Sequence, residues 1–170
     1  MRNIIVGIWD SLGYYSLLLN NYMNELTKRI FKLLGSQKGA EKLDFPPPFM
    51  EGLGMEYLAF EPGKSTTVSF PIKEAYNNPM GVTFGGYFSM FFDAAFGPFS
   101  SLTAQAPTTS LDLNVTFLKP LRATDEKVIV EVEVVSLSKS YLMLHGRAYK
   151  AGKVLVATAT SRMLILRRPS

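Results

Sequence analysis

The segment 78–97, NPMGVTFGGYFSMFFDAAFG, sets a single carboxylate, Asp93, among closely spaced Phe, Tyr and Met residues. An acid in apolar surroundings costs several kcal/mol unless it is paired or protonated, so Asp93 needs a partner or a task. A carboxylate held in that way serves as a general base or a nucleophile. Upstream, Gly85 and Gly86 stand where the apolar spacing takes on a helical period. The start of a helix leaves backbone N–H groups unpaired and carries a partial positive charge, and glycine puts no side chain in front of them. One helix therefore offers a donor for a developing negative charge and an acid. Each feature also has a plainer use: glycines allow a helix to pack closely on a sheet, and Asn78-Pro79 is a turn signal.

The elements that must position these residues are legible in the same way. Residues 55–60 and 65–72 read as two strands joined by the turn at Glu61, Pro62 and Gly63. A helix from about Phe84 to Leu102 follows, apolar on nearly every face through Phe84, Tyr87, Phe88, Met90, Phe91, Phe92, Phe96 and Phe99. Beyond it Leu111, Leu113, Val115 and Phe117 alternate with Ser110, Asp112, Asn114 and Thr116, the period of a half-buried strand. Val128, Val130, Val132 and Val134 alternate likewise, and residues 141–150 and 154–166 add two more strands around Ala151-Gly152. Two strands, a helix and four consecutive hairpin-linked strands imply an antiparallel sheet. Such a helix must be covered on all sides; the sheet covers one, and a second copy of the chain is the simplest cover for the other.

Upstream, Leu26, Ile30, Leu33 and Leu34 suggest an amphipathic helix within residues 24–43, broken near Gly35. Pro46, Pro47 and Pro48 read as a stiff connector, neither helix nor central strand. The expected organisation is an N-terminal helical extension over residues 1–45 and one domain over 46–170. At 170 residues and 47% hydrophobic content, one core is the default. The absence of cysteine excludes disulfides and thiolate metal ligands, and a cytoplasmic setting is the simplest expectation. Residues 4–19 are apolar, but Asp10 interrupts them and no small-residue cleavage pattern follows, so no membrane association is expected. A net charge of +4, with basic residues scattered apart from Arg167 and Arg168, shows no nucleic-acid stripe. His145 is the only histidine, which argues against a Ser-His-Asp hydrolase, a His-based hydratase or a histidine-built metal site. A structural role on its strand is expected for it.

One long buried helix wrapped by a curved antiparallel sheet is the α+β hotdog fold, and the motifs over about residues 50–166 resemble the PaaI-like acyl-CoA thioesterases of that fold. In that family an Asn stands six residues before a His-Gly-Gly helix opening, and an acid nine residues after the His; Asn78, Phe84-Gly85-Gly86 and Asp93 stand at those spacings. The family's next strand has a short hydroxyl residue and ends in Phe-x-x-Pro, similar to Ser110 and Phe117-Leu118-Lys119-Pro120. Phe84 departs from the pattern, because it can neither donate nor accept a hydrogen bond as the usual histidine would.

The resemblance implies a metal-independent, cofactor-free hydrolase of acyl-CoA, working as a homodimer or homotetramer. In it Asp93 is the base or nucleophile, the Gly85 N–H polarises the thioester carbonyl, Asn78 positions water or the carbonyl, and Ser110 orients Asp93 or the water. Phe84, Gly86 and Lys139 are expected to contact substrate, Lys139 through the phosphates of coenzyme A; Arg147, Lys119 and Arg122 are further candidates for those phosphates. In similar dimers the helix-start donor and the acid come from different subunits. A non-catalytic acyl-CoA or fatty-acyl binding module is the alternative that Phe84 leaves open. A purely structural assembly domain leaves Asp93 unexplained.

Overall fold

Alternating apolar residues build six strands in the computed structural model, which describes residues 23–37 and 46–166. They are β1 (Glu56–Glu61), β2 (Ser65–Pro71), β3 (Thr108–Phe117), β4 (Lys127–Leu137), β5 (Tyr141–Lys150) and β6 (Val154–Ile165). All pair antiparallel in one sheet of order β1-β2-β4-β5-β6-β3. The pairs β1–β2, β4–β5 and β5–β6 are neighbours in sequence, but β3 is not paired with β4. It lies beside β6, Thr108 opposite Ile165 and Phe117 opposite Ala157, and so forms an edge. The segment between β3 and β4 carries Pro120 and a 3₁₀ turn at Ala123–Asp125, too long a connection for the hairpin expected there.

Three short helical segments of the chain precede and follow the first hairpin. Helix α1 (Glu25–Gly35) is capped by Asn24, whose Oδ1 accepts from the Thr27 N–H at 2.9 Å. The rest of the helix expected in residues 38–43, the apolar run 4–19 and the Arg167-Arg168 pair lie outside the described residues. Helix α2 (Pro48–Leu53) overturns the reading of Pro46–Pro48 as a connector that is never helix. Pro48 occupies the first helical position, where a missing N–H and a fixed φ do no harm. A 3₁₀ turn at Glu74–Tyr76 leads into α3 (Gly85–Ala104).

Helix α3 fills the concave side of the sheet, the hotdog arrangement. Phe88, Phe91, Phe92, Phe96 and Phe99 are all buried, and the helix continues through Pro98 even though that residue supplies no N–H to the preceding turn. At β5 the helix packs against a glycine: a Cβ on Gly146 would lie 2.8 Å from the Phe92 ring and 2.9 Å from Phe96. The side of α3 turned away from the sheet is not closed within the chain. Gly86 and Asp93 are exposed there, and Met90 and Gly97 half-buried, a stripe at helical spacing.

Helix α1 covers the opposite edge. Ile30, Phe31 and Leu34 join the core cluster, with Phe31 edge-on to Tyr57 at 6.3 Å between ring centroids. Its cap also reaches the sheet: Asn24 Nδ2 donates to the Tyr57 carbonyl at 2.9 Å, and the Tyr57 N–H donates to the buried Thr27 hydroxyl at 2.8 Å. Gln37 Nε2 donates to the Ser101 carbonyl at 2.9 Å, tying the end of this segment to α3. Among the described residues no helix is long and apolar enough to cross a membrane.

Candidate active site

Asp93 and Ser110 meet. The Ser110 hydroxyl donates to Asp93 Oδ1 at 2.8 Å, across the gap between α3 and the edge strand β3. Strict alternation assigns Ser110 to the polar face with Asp112, Asn114 and Thr116, away from the helix. A register shift intervenes: Ser110 pairs with buried Met163 and Asp112 with exposed Arg162, leaving Leu111 as an extra residue. This β-bulge brings Ser110 to the helix-facing side and leaves Leu111 exposed. Asp93 itself is exposed in the single chain, so no burial cost arises there. What remains is a carboxylate on the uncovered stripe of α3, holding a hydroxyl donor.

The helix start forms a second cluster. Phe84 precedes α3 with an extended backbone, its N–H donating to the Tyr76 carbonyl at 2.8 Å. Its ring is 58% exposed and folds back over Gly86, where a Cβ would meet it at 2.9 Å. The tip of the Phe117 ring occupies the space beside Gly85, 3.1 Å from where a Cβ would sit. Both glycines therefore leave room for aromatic rings, the packing use weighed above. Phe117 is also edge-on to Phe88, with centroids 5.7 Å apart. An open groove of about 380 Å³ lies here, lined by Thr83, Gly85, Phe88, Phe117, Lys119 and Leu121 among others.

Asn78 uses its carbonyl oxygen locally: Oδ1 accepts from the Met80 N–H at 2.9 Å and the Val82 N–H at 3.4 Å. The turn reading of Asn78-Pro79 is thus correct for that oxygen, and the amide nitrogen plays no part in the turn. Lys139 sits exposed in the β4–β5 turn, beside Ser138, whose hydroxyl accepts from the Tyr141 N–H at 2.9 Å. That turn lies where β3 begins, since the Ile165 N–H donates to the Ser140 carbonyl at 2.9 Å, whereas Gly85 lies where β3 ends. At about 3.3 Å per residue the strand separates the two by roughly 30 Å.

Other charged groups form structural pairs on the outer face of the sheet. His145 Nδ1 lies 3.0 Å from Glu133 Oε1, and Arg147 donates to the same oxygen at 2.9 Å. The bonds from His145 and Arg147 hold the Glu133 carboxyl below the usual carboxylate range. Arg162 does the same to Asp112. A cavity of about 470 Å³ around Ile129, Tyr149 and Lys150 contains none of the expected site residues. Sequence reasoning missed Thr83 and the contact of Phe117 with Gly85. Thr83 directly precedes the Phe84-Gly85-Gly86 run, but no spacing rule marks it.

Residues 80–157 match the family described as the thioesterase superfamily. Among solved structures, a variant of the phenylacetic acid degradation protein PaaI from Thermus thermophilus is 27% identical, covering 71% of this chain and 100% of its own, with a TM-score of 0.64. The Escherichia coli PaaI protein from the phenylacetic acid degradation operon is 15% identical over 72% of this chain and 86% of its own, with a TM-score of 0.67. A thioesterase from Haemophilus influenzae is 18% identical over 72% of this chain and 85% of its own, with a TM-score of 0.65. No curated protein sequence matches significantly. The fold is the hotdog fold, and the family model and solved structures that it matches are those of thioester hydrolases. More narrowly, residues 80–157 are similar to the thioesterase superfamily, and the chain resembles the PaaI proteins in fold.

Proposed function

We propose that this protein hydrolyses the thioester of an acyl-CoA to a carboxylic acid and free coenzyme A, without a metal, at sites shared between two copies of the chain. The observation that carries this reading is the Ser110–Asp93 hydrogen bond on the uncovered stripe of α3. Asp93 takes a proton from water, or attacks the carbonyl itself, and Ser110 fixes the carboxylate's orientation. The Gly85 N–H stabilises the oxyanion, a contribution of about 3 kcal/mol in a water-excluded site. Collapse of the tetrahedral intermediate breaks the C–S bond, and the thiolate leaves to take up a proton; where Asp93 itself has attacked, water then hydrolyses the acyl anhydride and frees the acid and the carboxylate.

Gly85 and Asp93 lie eight residues apart, about 12 Å along one helix, too far to meet one carbonyl. A second copy laid along β3 supplies the missing half: Asn78 and Gly85 act from one chain, Asp93 and Ser110 from the other. Asn78 contributes its amide nitrogen. Phe84 and Gly86 border the substrate, and Lys139 serves the phosphates of a coenzyme A whose helix start belongs to the other copy. The test is an acyl-CoA panel assayed with a free-thiol reagent in EDTA. Hydrolysis of at least one ester is expected; activity lost in EDTA and restored by zinc overturns the metal-free mechanism. The second reading, a binding module for acyl-CoA, is favoured by Phe84 and follows if no ester is cleaved while one binds tightly.

A further inference from the structure

Thr83 is the residue that the proposed mechanism leaves unused. It is 5% exposed, and its hydroxyl is buried without a hydrogen-bond partner among the described residues. Its backbone is fixed on both sides of the groove: the Thr83 N–H donates to the Leu121 carbonyl at 2.8 Å, and Asn77 and Thr83 form an isolated β-bridge. The residue lines the same groove as Gly85 and lies two positions before it. A buried hydroxyl with no partner is uncommon in native proteins, and each instance asks for a ligand, a water or a function.

We infer that Thr83 is a second donor to the substrate carbonyl. When a thioester enters the groove, rotation about χ1 swings the hydroxyl from one staggered position to another and turns it toward the carbonyl oxygen that the Gly85 N–H also receives. Two donors then converge on one oxygen, a side-chain hydroxyl and a backbone amide, on either side of Phe84. An acyl chain seated against Phe88, Phe117, Leu118 and Leu121 displaces the water that would compete for either donor. Threonine suits the position because its methyl group fills the wall whichever way the hydroxyl points. In the unliganded chain the hydroxyl is idle, so it contributes nothing to stability and something to binding.

This inference rests on the thioester reading, and its experiment separates the two. Two coenzyme A derivatives serve as probes: a ketone analogue, in which a methylene between sulfur and carbonyl blocks hydrolysis, and the matching S-alkyl derivative without a carbonyl. Thr83→Val is expected to bind the ketone analogue about tenfold more weakly than wild type, the loss of one hydrogen bond, and the S-alkyl derivative equally well. Its melting temperature should equal or exceed that of wild type, because an unpaired buried hydroxyl has been replaced by an isosteric methyl. Thr83→Ser should restore ketone binding. For any ester the wild type hydrolyses, kcat of Thr83→Val should fall at least about tenfold. Equal affinity for the ketone analogue, an equal loss for both probes, a lowered melting temperature without the ketone-specific loss, or failure of Ser to restore binding overturns the role of Thr83. Absence of hydrolysis by wild type overturns only the enzymatic reading, since the two probes still decide Thr83; binding of neither probe by wild type overturns both.

Discussion

The two edges of the sheet are finished differently. At β1 the backbone of Tyr57 is taken up by side chains, its carbonyl by Asn24 and its N–H by Thr27, and α1 lies over the rest. At β3 most of the strand stays exposed or half-exposed, the bulge at Leu111 interrupts its register, and the Asp93–Ser110 pair lies directly beneath it. An edge with unpaired N–H and C=O groups is a template for another chain, and proteins close such edges unless they are used. On the proposed function, the open edge takes the second copy and lies on the same side of the molecule as Asp93 and Ser110. Damage at the closed edge should therefore appear in stability, and damage at the open edge in activity.

The largest expected effect is at the open edge. Asp93→Asn keeps the shape of the side chain and removes the base, so kcat should fall at least about a hundredfold with the melting temperature nearly unchanged. A large shift in melting temperature with activity retained would make Asp93 a structural acid and remove the contrast. Next, chains carrying Asp93→Ala and chains carrying Gly85→Pro, each nearly inactive, are unfolded and refolded together. A shared site returns roughly a quarter of wild-type activity per chain under random pairing. No recovery, with heterodimers shown to form, confines the site to one chain and detaches the open edge from catalysis.

At the closed edge, Thr27→Val leaves the Tyr57 N–H without its acceptor and should lower stability by about 1–3 kcal/mol, measured by urea unfolding, with kcat unchanged. A catalytic defect from this substitution would mean that the two edges communicate. The smallest effect belongs to the outer face, remote from both. The folded pKa of Glu133 lies below its ordinary value of 4.5, so its ion pairs stabilise the protein above that pH and lose this contribution as pH falls through the folded value. The melting-temperature difference between wild type and Glu133→Gln should shrink as the pH drops below about 4.

Much of the fold was legible because apolar periodicity is set by the core that each segment faces. The valines of β4 and the phenylalanines of α3 face that core, and their spacing showed it. The partner of β3 was not legible, because alternation shows which side of a strand is buried and says nothing about its neighbour. Pro48 misled for a different reason: proline excludes a helix interior but suits its first residue, and composition does not distinguish the two. The candidate site was legible as a set of residues and less so as a geometry. Ser110 was named for Asp93 although alternation turned it away, and only the extra residue at Leu111 reconciles the two. The apolar sequence around Asp93 implies a burial cost that the single chain does not impose, since the surrounding aromatic residues turn toward the sheet and Asp93 does not. Thr83 carried no pattern, and an unpaired hydroxyl becomes visible only once its surroundings are built.

The pairing of β3 with β6 also has a consequence in time. A chain made from its N-terminus completes α1 before β1, so the side chains that take up the Tyr57 backbone are already present when that strand emerges. Strand β3 has no such attendant. Its one strand partner among the described residues is β6, and until Ile165 has been added both flanks of β3 stand bare, with Asp93 and its helix already complete beside them. For that interval β3 offers two bare edges instead of one, and if the proposed dimer forms along it, neighbouring nascent chains on one message can meet through the same strand.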